Sequence, residues 1–349
     1  MQIIILLIAP IISSYCLAFT SVGVGRSKPS HERHHVLFLS IESHQPSITS
    51  SSATLHRRLN RSEAREITDN VLCPPSEERD RDSAGMQAFD TASDEYRGNV
   101  IENNDPRTQY AYGEFPFDSF DLLVDKALEL ANENTQADNH LNESYKRKKM
   151  VDLGSGCGRL VLYAALTRGN QYGSDDDNTL WDFHGVEIGS KLHNLAINSL
   201  KRGVDNELFS TITIDKDVTS KIMFHNGNAL LVEDPYFTTQ STEDKNKDDS
   251  VALNHSIQSL LSETKLLFAY STVWETDPTL PFDPDMGAMI LSPKWSQTLA
   301  LLCPNKCVAV TTDRALNPRD GWRLLDRMDV ENPSVWGSVG YISILEKSS

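Results

Sequence analysis

The chain of 349 residues has little of what would make a membrane span, a disulfide scaffold or a nucleic-acid-binding surface. Its N-terminal apolar run, Ile3 to Ile12, covers ten residues. That is well short of the ~20 a spanning helix needs and close to the length of a signal-peptide core. Cysteine is sparse: Cys16, Cys73, Cys157, Cys303 and Cys307. Only the last two are neighbours, as Cys-x-x-x-Cys, and no His or Cys stands at ligand spacing beside them. No metal site is therefore expected, and small buried hydrophobes in a reducing compartment is the plainer reading. Basic residues are outnumbered, 33 Lys and Arg against 49 Asp and Glu, for a net charge of −16. Residues 1–62 hold six of the bases and two of the acids, a net +4, so the remainder stands at −20. That balance opposes attraction to phosphate backbones, and direct nucleic-acid binding is not expected; an acidic surface suits a basic protein instead. No basic stripe and no internal repeat is visible.

What is present begins with an address. After the apolar run come Ser13, Ser14 and Cys16-Leu17-Ala18, a small-x-small site ahead of Phe19. Residues 1–18 read as a signal peptide, although Gln2 leaves the n-region without a basic side chain. Residues 19–62, rich in Ser and bases and poor in acids, read as a transit-like segment. With the Ala18-Phe19 junction this resembles the two-part plastid-targeting presequences of algae with secondary plastids. That resemblance implies a plastid destination, with secretion or the endomembrane system as the alternative. Residues 63–105 are dense in charge (Glu77-Glu78-Arg79-Asp80-Arg81-Asp82) and read as a linker, poorly ordered, or a solvated helix.

From residue 106 to 349 the pattern is that of one α/β domain. Phe117 to Leu130 is apolar at helical spacing. Met150-Val151-Asp152-Leu153 is a short buried strand that runs into Gly154-Ser155-Gly156-Cys157-Gly158 and then a helical stretch from Arg159 to Thr167. Further strands are expected at Trp181–Ile188, Lys221–His225, Leu266–Tyr270 and Cys307–Thr312, with helices at Ser190–Arg202 and Trp295–Leu302. Two strand-like runs, Trp322–Leu325 and Gly340–Leu345, close the chain with no helical pattern between 326 and 339. A doubly wound, mostly parallel seven-stranded sheet ending in an antiparallel pair is the Rossmann-like methyltransferase architecture, not that of dinucleotide-binding domains.

The residue types fit the same reading. A glycine turn between strand and helix lets backbone approach a ligand where a Cβ would clash. Asp152 stands at the carboxyl end of the first strand, where open α/β sheets bind ligands. A carboxylate there suits the cationic amino and sulfonium groups of S-adenosylmethionine better than a pyrophosphate. Glu187, ending the second strand, can take both hydroxyls of a ribose, and Asn228, after the third, can meet an adenine amino group. The candidate cofactor residues are thus Asp152, Gly154, Ser155, Gly156, Gly158, Glu187 and Asn228. Ser271, Thr272 and Trp274, following the fourth strand, are the candidate catalytic residues; Trp274 either walls the acceptor channel or covers the core. Two readings from other classes stay open: a nicotinamide-dependent oxidoreductase using the same turn, and a non-catalytic binding protein on the same fold.

Three segments together, Tyr112-Gly113-Glu114, Asp152 to Arg159 and Gly185-Val186-Glu187-Ile188, resemble the non-SET histone-lysine methyltransferases, the disruptor-of-telomeric-silencing family. The resemblance covers roughly residues 110–230. It implies that Tyr112 and Glu114 close over the cofactor and that the acceptor is a protein lysine. After the fourth strand the family's paired asparagines are replaced by Tyr270-Ser271-Thr272-Val273-Trp274, and Arg159 stands where the family carries glutamine. The acceptor half therefore does not carry over, and a lysine of another protein or a small molecule stays open.

Overall fold

The computed structural model describes residues 59–95, 113–135, 147–169, 180–209, 213–215, 218–219, 221–229, 256–333 and 337–347, all within the compact unit Leu55–Ser349. Apart from residues 59–62, the targeting segments lie outside the described residues, as do 96–105 and Tyr112.

Seven strands form one sheet: Arg147–Leu153 (β1), Leu180–Glu187 (β2), Ile222–Asn226 (β3), Thr264–Ala269 (β4), Val308–Thr312 (β5), Trp322–Val330 (β6) and Ser338–Leu345 (β7). Their order across the sheet is β6-β7-β5-β4-β1-β2-β3. All pairs are parallel except those of β7, which runs antiparallel between β5 and β6. This is the seven-stranded, Rossmann-like methyltransferase fold. The winding reverses between β1 and β4, which puts the ligand crevice outside the carboxyl ends of those two strands.

The strands are apolar on both faces, as a sheet covered by helices on both sides requires. Met150, Leu266, Phe268, Val308 and Val310 face one core with the helices Phe117–Thr135 and Arg159–Arg168; Val151, Leu267, Ala269 and Ala309 face the other, with residues 256–262 and the helix Pro293–Leu302. Successive residues of one strand therefore feed different cores, the period-2 geometry of a strand.

Over 63–95, where the sequence leaves a linker or a solvated helix open, the chain is helical. Arg61–Ile67 and Glu78–Glu95 are helices, joined by a π turn at Thr68–Leu72 and a 3-10 turn at Pro75–Glu77. Asn60 caps the first with a reciprocal bond to Glu63. Ala64, Leu72 and Cys73 are buried in the same core as the two helices above. The charges that look solvated in sequence have distant partners. Arg81 Nε donates to Glu114 at 2.9 Å, and Arg202 grips Glu77 at 2.7 Å. Arg65 and the buried Arg168 both converge on the buried carboxylate of Asp121.

On either side of β5 in the chain lie the strands of a feature with no signature in the sequence. Phe282–Asp283, Ala288–Ile290 and Arg314–Ala315 make a three-stranded sheet of their own. Leu291 N–H donates to Ala315 O at 2.9 Å and ties it to the end of β5.

Candidate active site

The turn after β1 is built from left-handed glycines: Gly154, Gly156 and Gly158 have φ of 75°, 56° and 80°. A side chain is disfavoured there by backbone alone. Gly158 is also crowded, since a Cβ would stand 2.5 Å from the Phe224 ring, and Gly185 of β2 would meet the same ring at 2.6 Å. These glycines let the turn lie down on β2 and β3.

Four amides of the turn are spent within the protein. Gly154 and Ser155 N–H both donate to Val186 O, at 2.9 and 3.1 Å, and Gly158 N–H donates to Ser155 O at 2.9 Å. Gly156 N–H donates to Glu187 Oε2 at 2.8 Å, while Glu187 Oε1 accepts from Gly189 N–H at 2.7 Å. Glu187 is buried, and burial pushes its carboxyl up against the opposing pull of these backbone donors. Asp152 lies behind it, 4% exposed, and no residue among those described donates a hydrogen bond to it. Burial, the neighbouring Glu187 and the Cys157 thiol push its carboxyl up to about 8. Two acids are thus held close together in a dry place. Ser155 Oγ, also buried, has no partner among the described residues.

This donor set is wrong for a pyrophosphate. An anion at a helix N-terminus needs free amides aimed at it. Here Glu187 occupies the amide of Gly156, and Asp152 adds a second negative charge. A cation with hydroxyls fits: it lowers the cost of ionising Asp152, and each Glu187 oxygen keeps a lone pair beyond its backbone bond.

The other cofactor candidates divide. Asn228 is half-buried in the turn after β3. That turn is strapped to the end of β2, because Gly227 N–H and Asn226 Nδ2 both donate to Glu187 O, at 3.0 and 2.9 Å. Ile188, which sequence reasoning passed over, is 41% exposed directly after Glu187 and offers an apolar surface beside it. The signal was available: an isoleucine just past a strand-end acid. Glu114 is not free to close over a ligand unaided; it is paired with Arg81 and lies 3.7 Å from Arg159 Nε. Arg159 in turn donates to Asp69 at 2.9 Å and to Phe115 O at 3.2 Å.

The candidate catalytic residues lie past the carboxyl end of β4, beside β5. Ser271 is fully buried; its Oγ donates to Thr312 O at 2.8 Å and accepts from Thr312 N–H at 3.1 Å. It is a strap between two strands. Thr272 Oγ1 donates to Asp313, at 2.5 Å. Trp274 is buried and stacked on Trp295 at 3.7 Å, with its ring edge 4.0 Å from where a Cβ on Gly154 would stand. It covers the core beneath the turn.

No family model matches the chain, and no curated protein matches its sequence. Among solved structures the chain is similar to an RNA methyltransferase from Salinibacter ruber in complex with S-adenosyl-L-homocysteine, at 18% identity over 68% of this chain and 97% of that one, TM-score 0.33. It is also similar to the magnesium protoporphyrin IX methyltransferase of Synechocystis with S-adenosylmethionine bound, at 11% identity over 74% and 97%, TM-score 0.31. At this identity and TM-score neither likeness bears on the role of any residue. Among the described residues no helix is long and apolar enough to cross a membrane.

Proposed function

We propose that this protein is an S-adenosylmethionine-dependent methyltransferase. The observation that carries the reading is the pairing of the glycine turn with two buried carboxylates, one of which already holds the turn's Gly156 amide. Asp152 would face the cationic end of the cofactor, Glu187 the ribose hydroxyls, Ile188 and the turn at Asn228 the base. S-adenosylmethionine supplies a methyl already activated by its sulfonium. The protein's share is then to position the partners and exclude water. The packed Trp274, Trp295 and Phe224 rings under the turn support both, since they hold the backbone rigid and dry.

The reading of a protein-lysine acceptor rests on Tyr112-Gly113-Glu114 and the cofactor-side segments, not on residues past β4, so we propose the acceptor only as a nucleophile delivered over the ends of β4 and β5. The segment from 270 to 292 contains Glu275, Asp277, Asp283 and Asp285 and no Lys or Arg, which favours an acceptor that is not anionic.

Calorimetric titration with S-adenosylmethionine, S-adenosylhomocysteine, NAD and NADPH tests the proposal. We expect micromolar binding of the first two and none of the dinucleotides. Binding of a dinucleotide alone would replace this reading with an oxidoreductase, and binding of none would leave a non-catalytic protein on this fold.

A further inference from the structure

Two free thiols that the cofactor reading does not use meet where the N-terminal helices touch the glycine turn. Cys157 sits in that turn between Gly156 and Gly158, and Cys73 directly follows the π turn Thr68–Leu72. Both are buried, in the same apolar core. They come together over the buried side of the helix Ser190–Asp205. Cys73 Sγ lies 3.8 Å from Ser199 Oγ, and one turn earlier on that helix Ala196 Cβ stands 3.0 Å from where a Cβ on Gly158 would be. The two thiols share a hydrogen bond. That contact, and then burial, push the Cys73 thiol above its ordinary value.

The backbone around Cys73 is gripped by two guanidiniums. Arg202 donates to Leu72 O and pairs with Glu77 at 2.7 Å. Arg81 Nη1 donates to Pro74 O at 3.0 Å and to Cys73 O at 3.4 Å. While both hold, a reagent in water reaches neither sulfur. The two grips differ in what survives their release. Arg202 belongs to the helix beneath, so parting it from Glu77 frees the segment. Arg81 belongs to the same N-terminal segment as Cys73 and travels with it. Its charge pulls the thiol toward ionisation, against the contact with Cys157 and the burial that opening relieves. An opened Cys73 is therefore the better nucleophile of the pair.

We propose that Cys73 and Cys157 form a modification site, oxidised to a disulfide by a low-molecular-weight disulfide such as oxidised glutathione, and that the cross-link weakens cofactor binding. The Cys73 thiolate attacks one sulfur of the oxidant, breaks its S–S bond and releases one thiol. The Cys157 thiolate then attacks Cys73 Sγ and releases the second. Two electrons pass to the oxidant, and the two cysteine protons end on the thiols it leaves. A disulfide brings its sulfurs to ~2.05 Å, nearer than two hydrogen-bonded thiols stand, so Cys157 is drawn toward Cys73. Gly156 moves with it, and its N–H is what holds Glu187 Oε2 at 2.8 Å. The effect on the cofactor rests on the methyltransferase reading; formation of the disulfide does not.

The test incubates the full chain with oxidised glutathione, blocks the remaining thiols, and maps cross-linked peptides by mass spectrometry. We expect Cys73 joined to Cys157, with Cys303 and Cys307 still reduced. Glu77→Gln, which loosens the Arg202 grip, should speed the cross-link about three-fold or more, the share of one half-buried ion pair. Calorimetry on the reduced and oxidised protein should show S-adenosylmethionine binding about ten-fold weaker after oxidation, and saturating S-adenosylmethionine should shift the glutathione equilibrium by the same factor, as linkage requires. Dithiothreitol should restore the affinity. Cys73→Ala should bind S-adenosylmethionine as the reduced parent does and lose the response to glutathione. No Cys73–Cys157 cross-link in either the parent or Glu77→Gln would overturn the site, as would a cross-link between Cys303 and Cys307 in its place. A cross-link that leaves S-adenosylmethionine affinity unchanged would overturn its effect on the turn. Failure of the reduced protein to bind S-adenosylmethionine would overturn the cofactor reading, while the peptide map would still decide the disulfide.

Discussion

The two halves of the carboxyl edge are built differently. Across β1, β2 and β3 the work is done by backbone: three left-handed glycines, four turn amides satisfied internally, and one carboxylate held by two N–H groups. Across β4, β5 and β7 it is done by side chains that meet from far apart, Thr272 with Asp313, Asn332 with Tyr270, Ser271 with Thr312. A backbone cradle demands particular residues at contiguous positions. A side-chain network demands only that complementary groups arrive at the same place. The first is rigid toward one ligand class, and the second can be rewritten without moving the sheet.

The sharpest way to break the comparison is at Gly158. An alanine there costs ~1–2 kcal/mol for the left-handed backbone and about 1–3 kcal/mol more for overpacking against Phe224. Gly158→Ala should therefore lower the urea midpoint severely, and Phe224→Leu added to it should recover only the packing share. Gly185→Ala carries no backbone penalty, so the same second change should rescue it far more fully. Equal rescue of the two would mean that the turn is not conformationally strained by a side chain.

Next comes pH. The Asp152 carboxyl is raised to about 8 in the free protein by burial and by Glu187. A group raised in the folded state contributes stability below its unfolded value near 3.8, and that contribution is lost as the pH climbs toward 8. A cationic ligand favours the ionised form, so binding releases a proton and affinity should strengthen with pH until about 8. The slope approaches ten-fold per pH unit over that range. Titrations in buffers of different ionisation enthalpy read the proton directly, and Asp152→Asn should abolish both the slope and the proton.

Glu187→Ala should weaken S-adenosylmethionine by ten-fold or more, ~1.4 kcal/mol, and should also destabilise the free protein, since Gly156 and Gly189 N–H lose their acceptor. Wild-type affinity in this variant would remove Glu187 from the site.

These differences also set what could be read in advance. The turn, Asp152 and Glu187 all follow from patterns within about 40 consecutive residues, where chain adjacency does the arranging. The packing of the helices at 61–95 is not legible in the sequence, because Arg65, Arg81 and Glu77 look solvated until their partners, Asp121, Glu114 and Arg202, are brought to them. Ser271 and Thr272 sit at the expected edge, but their chemistry depends on Thr312 and Asp313, some forty residues on. Tyr270 was read only as the end of a strand; nothing local marks a phenol whose oxygen is claimed by a distant asparagine amide.

The smallest effect is the most discriminating. Asp313→Asn keeps a residue that tolerates the left-handed backbone there, with φ of 60°, so it changes the network without straining the chain. One of the carboxylate's acceptor positions becomes a donor facing Thr272, Ser338 or Val339, and the net loss should be about 1–2 kcal/mol of stability, read as a modest fall in the urea midpoint. Affinity for S-adenosylmethionine should stay within two-fold, because no atom of the glycine turn or of Glu187 depends on Asp313. If cofactor affinity fell ten-fold instead, the two halves of the edge would be one coupled unit, and the independence of cradle and network would be wrong. If affinity held while methyl transfer to any acceptor fell, the network would be acting on the nucleophile and not on the cofactor.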